Sequence, residues 1–443
     1  MAALTYRDVA DKVLRAMTRP GPIYTVLLGL CVSTVIAAGL AWLYQIETGI
    51  GTTIKNNPVG WALYITTFVF WVGIAHSGTL ISAILFLLRA RWRTSIFRAA
   101  EGMTVFAVLT AGLFPLIHLG RLWRVYYMLP YPNQRELWPN FKSPLIWDVF
   151  AITTYLTISA IFFFVGMIPD LAVVRDRATG WRRRLYNVLA LGWRGSDRQW
   201  SSWLQAYVLF AGLATPLVIS VHSVVSWDFA MSVVPGWHTT IFAPYFVAGA
   251  IHSGFAMVLT LMIPLRRILQ VEELITVRHL ENMAKVIIFT GLIVGYAYGM
   301  EFFLAWFSGN QAELDVFVYR ATGDYAVTYW IMVSCNALIP LAFFWKKVRT
   351  SLWALFVISI LINVGMWFER FVIIVTSLSH DYLPHTWSSN LDLHWTDTTI
   401  MIGSFGWFFM WFLLFLRTLP WISITEVREG LHVAAEPAKE DRG

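Results

Sequence analysis

The sequence predicts an all-α polytopic membrane protein: ten transmembrane helices, forming two parallel-repeat four-helix bundles (spans 2–5 and 6–9) flanked by spans 1 and 10. Three observations lead there. The 443 residues are 58% hydrophobic and only 13% charged, whereas soluble domains are about one quarter charged. Ten apolar runs come close to or exceed the roughly 20 residues a helix needs to cross a bilayer. The chain also repeats itself: GIAHSG at 73–78 returns as GAIHSG at 249–254, and Gly60–Trp61 returns at the same offset as Gly236–Trp237.

The runs lie at 22–44, 60–88, 101–120, 145–168, 204–224, 241–265, 283–307, 326–345, 352–376 and 398–416. Each must be a helix, because lipid cannot satisfy an open backbone. The offset carries span 2 onto span 6, four helices later, so both copies cross in the same direction. The implied divisions are 1–57 (tail and span 1), 58–235 (first bundle), 236–397 (second bundle) and 398–443 (span 10 and tail). The first 20 residues are polar and charged, without the apolar core of a secretory signal, and read as a cytoplasmic tail able to form a short amphipathic helix.

Orientation follows from the basic residues, which collect in short cytoplasmic loops. With the N-terminus inside, the cytoplasmic segments and their flanking turns hold 26 of the 33 Lys and Arg. Both termini are then cytoplasmic, and the net charge of +7 reflects topology and anionic head groups, with no implication of nucleic acid. The outer loops 121–144, 225–240, 308–325 and 377–397 are rich in aromatic residues and suit a lid or a docking surface. The two cysteines, Cys31 and Cys335, sit alone in separate spans. They exclude a disulfide framework, a thiolate-held iron–sulfur cluster and a CxxCH haem attachment.

Polar side chains at membrane depth are costly and mark interiors or pathways. Four ionisable groups fall in one layer near the outer face of the first bundle: His118, Asp148, His222 and Asp228. A histidine and a carboxylate held together there can take the two protons of a hydroquinone. The alternatives are a helix-end bond for His118 and a helix-dipole contact for Asp148. Arg121 and Arg124 follow His118 at helical spacing, suited to an anionic substrate form or to lipid head groups. Deeper, the repeated His76 and His252 with their serines read either as a proton path or as hydrogen-bonded lining beside close glycine packing; ligation of a b-type haem is the weaker reading. Glu301 and Arg370 lie about 9 Å inside the outer ends of spans 7 and 9 and are expected to face each other, as an ion pair or part of a proton path. No metal site is expected.

The segments FPLIHLGR (114–121), WPNFKSPLIWDVFAITTY (138–155) and GMWFERF (365–371), with the duplicated HSG element, resemble the NrfD/PsrC-like family of quinone-reactive membrane subunits. Within it they are most similar to the ActC type of bacterial alternative complex III. The resemblance implies a menaquinol site with His118, Asp148 and Asp228 as its polar residues, flanked by Arg121 and His222, and a proton path through His76, His252, Glu301 and Arg370. It implies no metal or haem on this chain. It also implies assembly in a bacterial cytoplasmic membrane with an iron–sulfur subunit, multihaem cytochromes c and a homologous NrfD-like membrane subunit. Two other readings stay open: a non-catalytic membrane anchor, and a secondary transporter. The latter is disfavoured by spans without broken centres, the prolines Pro216, Pro264 and Pro340 falling in or near span ends.

Overall fold

The computed structural model describes residues 6–18, 21–53, 59–129, 139–382, 387 and 394–428. Trp138, which opens the segment 138–155, and the tail 429–443 lie outside the described residues. Among those described the structure is helical, with no strand, and ten helices are long and apolar enough to cross a membrane. They run Pro22–Thr48, Ala62–Leu87, Phe97–His118, Pro144–Arg177, Asp197–Ala230, Phe242–Ile268, Val277–Phe307, Ala326–Phe344, Leu352–Ser379 and Trp395–Thr418. Most overrun their apolar stretches, because backbone hydrogen bonding continues past the point where the side chains become polar. Spans 4 and 5 reach 34 residues each. Local chemistry fixes several starts: Pro22 and Pro144 occupy first-turn positions where no N–H is needed. Ser196 and Gln199 close a capping box on span 5.

Spans 2 and 6 are the hub. Every residue of Ala62–Thr79 is buried, as expected of a helix that is apolar all round. The two helices pack on each other through the repeated element: Gly73 lies opposite Ser253, and Gly254 opposite Ser77. Spans 3 and 5 pack on span 2, span 4 packs on both of them and reaches span 2 through Tyr155, and spans 7, 8 and 9 contact one another or span 6. Spans 1 and 10 pair through small residues, with Gly403 against Ala38 and Gly406 against Thr34. The other side of span 1 faces outward, with Val26 70% and Leu40 63% exposed. The N-terminal helix Tyr6–Thr18 is amphipathic, burying Val9, Ala10, Val13 and Met17, and ion pairs join Lys12 to Glu273 and Asp11 to Arg177.

Two expectations about regularity need correcting. Pro216 sits well inside the helix Asp197–Ala230, because span 5 extends far beyond its apolar core. Three spans also contain π-turns, at Leu80–Ile84, Ser334–Leu338 and Val372–Thr376. Each adjoins a buried polar group: the HSG element of span 2, Asn336 of span 8, and Glu369–Arg370 of span 9. Such bulges concentrate at functional sites. The outer segment 308–325, read as a loop, carries the helix Gln311–Thr322. Asn310 caps it, its side-chain oxygen accepting from the Ala312 N–H at 3.0 Å.

Candidate functional site

Asp148 lies in the second turn of span 4 and Asp228 in the last turn of span 5, where these two long helices pack side by side. Their carboxyl groups are within hydrogen-bonding reach of each other and buried, 3% and 5% exposed. Among the described residues, no other donor reaches any of the four oxygens. A carboxylate only accepts, so two carboxyls can bond only when one carries a proton. A bond within the pair therefore needs one proton held between the two carboxyls, where span 4 begins and span 5 ends.

One and a half turns further in, about 9 Å along span 5, His222 is fully buried. Its ring centre lies 4.5 Å from that of His76 and 5.8 Å from Phe246. His76 bonds the Val72 carbonyl through Nδ1 at 2.5 Å, which requires a proton on Nδ1. In the neutral ring Nε2 is then a bare acceptor, and no donor among the described residues meets it. The His76 ring stacks on Tyr155 at 5.0 Å and 8°. Tyr155 in turn reaches the Ala75 carbonyl at 3.0 Å and Thr79 Oγ1 at 2.6 Å. The first bundle thus holds a file of protic groups, Asp228 and Asp148, then His222, His76, Tyr155 and Thr79, running from the end of span 5 toward the middle of the bundle.

His118 lies at the end of span 3. It ends the short helix Leu113–His118, which follows a break at Gly112, and it is half-buried. No hydrogen bond or ion pair joins it to Asp148. The preceding Ile117 carbonyl accepts from Gln45 Nε2 at 3.0 Å, drawing this end of span 3 toward spans 1 and 2. Arg121 is exposed and lines a crevice with Glu47, Arg124 and Tyr127, beside the end of span 1. The positive φ of Gly120 turns the chain there, over Ile50.

In the second bundle, Glu301 and Arg370 do not face each other. Arg370 pairs with its neighbour Glu369 at 2.8 Å and covers the Phe246 ring at 4.3 Å. Glu369 also accepts from Tyr298, whose hydroxyl takes a bond from Asn336 Nδ2 at 2.9 Å. Glu301 is instead 3.9 Å from Arg320, on the outer helix Gln311–Thr322. Burial lowers the Arg320 pKa, and Glu301 opposes that shift. Arg320 is invisible to sequence reasoning, because nothing in an outer segment marks a side chain that folds back into the bundle. It also donates to Ser377 Oγ at 2.6 Å. His252 meets Thr290 Oγ1 at 3.1 Å through Nδ1, so the repeated histidines have different partners.

A further buried cluster has no counterpart among the sequence expectations. At the opposite end of the first bundle from Asp148 and Asp228, Arg98 pairs with Glu101 at 2.8 Å and Asp170 at 3.5 Å, and donates to the Gly166 carbonyl at 2.7 Å. Tyr207 reaches Glu101 at 3.5 Å. Arg93 pairs with Glu426 at 2.7 Å. A signal for it exists in span 4, where Asp148, Tyr155, Ser159, Gly166 and Asp170 follow at intervals of 7, 4, 7 and 4 and are all buried, one polar stripe along one helix face.

Comparison with known proteins agrees with this architecture. Residues 51–380 match the family described as polysulphide reductase, NrfD. Over 235 residues the chain is 29% identical to a Halobacterium salinarum protein provisionally named as a membrane subunit of dimethyl sulfoxide reductase, covering 53% of this chain and 50% of that one. The chain therefore spans about half the length of this curated relative. With ten membrane-length helices and a family match across both copies of its internal repeat, the chain belongs to the NrfD family of multi-pass membrane proteins.

Proposed function

We propose that this chain is the quinol-oxidising membrane subunit of a respiratory or photosynthetic electron-transfer complex in a bacterial cytoplasmic membrane, with both termini cytoplasmic. The observation that carries the reading is the buried Asp148–Asp228 carboxyl pair at the outer end of spans 4 and 5, backed by His222 and His76. A hydroquinone releases two protons with its two electrons. A carboxyl pair holding one proton between two groups can accept another, and the histidine pair behind it offers the next acceptor. His118, at the end of span 3, is assigned to the rim of the same pocket, and Arg121 to its outer approach.

Electrons leave to an iron–sulfur subunit docked outside, since this chain contains two isolated cysteines, and pass on to multihaem cytochromes c. A homologous NrfD-like membrane subunit completes the assembly. Menaquinol is the proposed substrate and alternative complex III the proposed setting, this chain taking the ActC role. The relative's name, a membrane subunit of dimethyl sulfoxide reductase, supports a place in a redox complex. In this reading residues 58–235 carry the quinol chemistry. Residues 236–397 carry a second proton path through His252, Glu301 and Arg370.

The test is steady-state quinol oxidation by the purified complex. Asp148→Asn and Asp228→Asn each lower turnover about 100-fold, within the range of a lost acid–base group, while subunit composition is unchanged. Wild-type turnover in both variants would return the chain to the role of passive anchor.

A further inference from the structure

Glu301 and Arg320 form a buried ion pair without a direct hydrogen bond: their nearest atoms are 3.9 Å apart, and the residues are 6% and 2% exposed. A polar contact of that length raises the question of a water beside it. Taking two charges out of water is repaid only when their remaining donors and lone pairs are also met. Two atoms of this pair, Glu301 Oε1 and Arg320 Nε, meet no hydrogen-bond partner among the described residues, and neither does the hydroxyl of Tyr245. All three side chains line one small cavity in the second bundle, with Tyr298, Tyr329 and Met332. Nine of its ten lining residues are buried, so the space lies inside the bundle.

The charges on its walls select the occupant. Carboxylate and guanidinium cancel, so an ion of either sign would meet a like charge, while three unmet polar atoms oppose an apolar guest. The room is that of a single water. A water supplies what each atom lacks. It accepts from the Arg320 Nε–H, donates to Glu301 Oε1 and makes its remaining bond with the Tyr245 hydroxyl, and about three bonds is the usual complement of a buried water. Tyr245 stands edge-on to Tyr298, ring centres 5.9 Å apart, and Tyr298 donates to Glu369. The water thus ties the Glu301–Arg320 pair to a tyrosine packed against the Glu369–Arg370 cluster.

We propose that this cavity is the binding site of one ordered water that completes the Glu301–Arg320 pair, with Tyr245 as the residue that positions it. The site stands independently of quinol oxidation and of proton movement, because the water is held whether or not either takes place.

The experiment is X-ray hydroxyl-radical footprinting of the native complex in lipid nanodiscs, in which a bound water is itself the radical source and marks the side chains beside it. Met332, on the cavity wall, is compared with Met283 and Met366, which do not line it; the three are 4%, 0% and 1% exposed. Met332 is expected to be oxidised faster than both. Val372→Ile adds one methyl group to the wall of the cavity and abolishes the Met332 excess. Tyr245→Phe removes one of the water's partners, lowers the Met332 rate and serves where Val372→Ile does not assemble. A Met332 rate no higher than those of Met283 and Met366, or an excess that either variant leaves unchanged, overturns the proposal.

Discussion

Ser77 of span 2 lies directly on Gly254 of span 6, so close that a Cβ on the glycine would overlap the serine side chain. The two copies of the repeated element therefore meet at the centre of the protein. They meet off register: Gly73 faces Ser253, while Gly78 turns to Ala100 and Thr104 of span 3. The small residues set the helix spacing, and that spacing delivers His76 to the first bundle and His252 to the second.

This contact predicts a rescue. Gly254→Ala overpacks the crossing and lowers stability by about 1–3 kcal/mol, whereas combining it with Ser77→Gly restores most of the loss. Thermal unfolding of the two single variants and the double variant measures the coupling; additive losses would mean the helices separate freely.

Asp148 and Asp228 act through one shared contact, so their variants are expected to be non-additive. Asp148→Asn, Asp228→Asn and the double variant all reduce quinol oxidation to a similar level, near 100-fold below wild type. Multiplied losses in the double variant would assign the two carboxyls separate tasks. His118→Ala, at a position not bonded to the pair, is expected to act mainly on apparent quinol affinity, read as a raised KM.

Arg320 is the link between an outer helix and the buried Glu301. Arg320→Met leaves that carboxylate without its counter-charge and costs about 3–5 kcal/mol. Adding Glu301→Gln recovers a large part, measured as detergent-resistant thermal stability. Failure of the second change to help would place the cost in the lost bonds to Ser377 and the Gly236 carbonyl.

At the Arg98 end of the first bundle, Asp170 Oδ1 accepts from both the backbone N–H and the hydroxyl of Thr425, at 2.9 and 2.8 Å. Asp170→Ala removes that anchor and one partner of Arg98. The segment after span 10 should then become a site of rapid limited proteolysis between Leu419 and Arg428, with cleavage followed by mass spectrometry. Equal cleavage rates in wild type and variant would show that Trp421 and Ile422, both fully buried, hold the segment unaided.

Hydropathy alone made the ten spans legible, because lipid leaves a helix as the only way for one segment to satisfy its own backbone. The repeat was legible for a related reason: Gly73, His76, Ser77 and Gly78 are chemically unusual at that depth, so their recurrence stands out. Span ends were less so, since helices such as Asp197–Ala230 continue beyond their apolar cores. The π-turns at 80–84, 334–338 and 372–376 left no compositional trace.

By itself the sequence determined that the chain is a bundle of membrane-length helices with ionisable groups at depth, and it singled out Asp148, Asp228, His76 and His222. Only the tertiary structure decided their pairing. It joined Asp148 to Asp228, His222 to His76, Glu301 to Arg320 and Arg370 to Glu369, and it assembled Arg98, Glu101 and Asp170 where no charged cluster was expected. The reason is geometric: hydropathy reports how deep a residue lies, while the rotation of each helix, set by close packing at glycines such as Gly254, decides which side chain it faces.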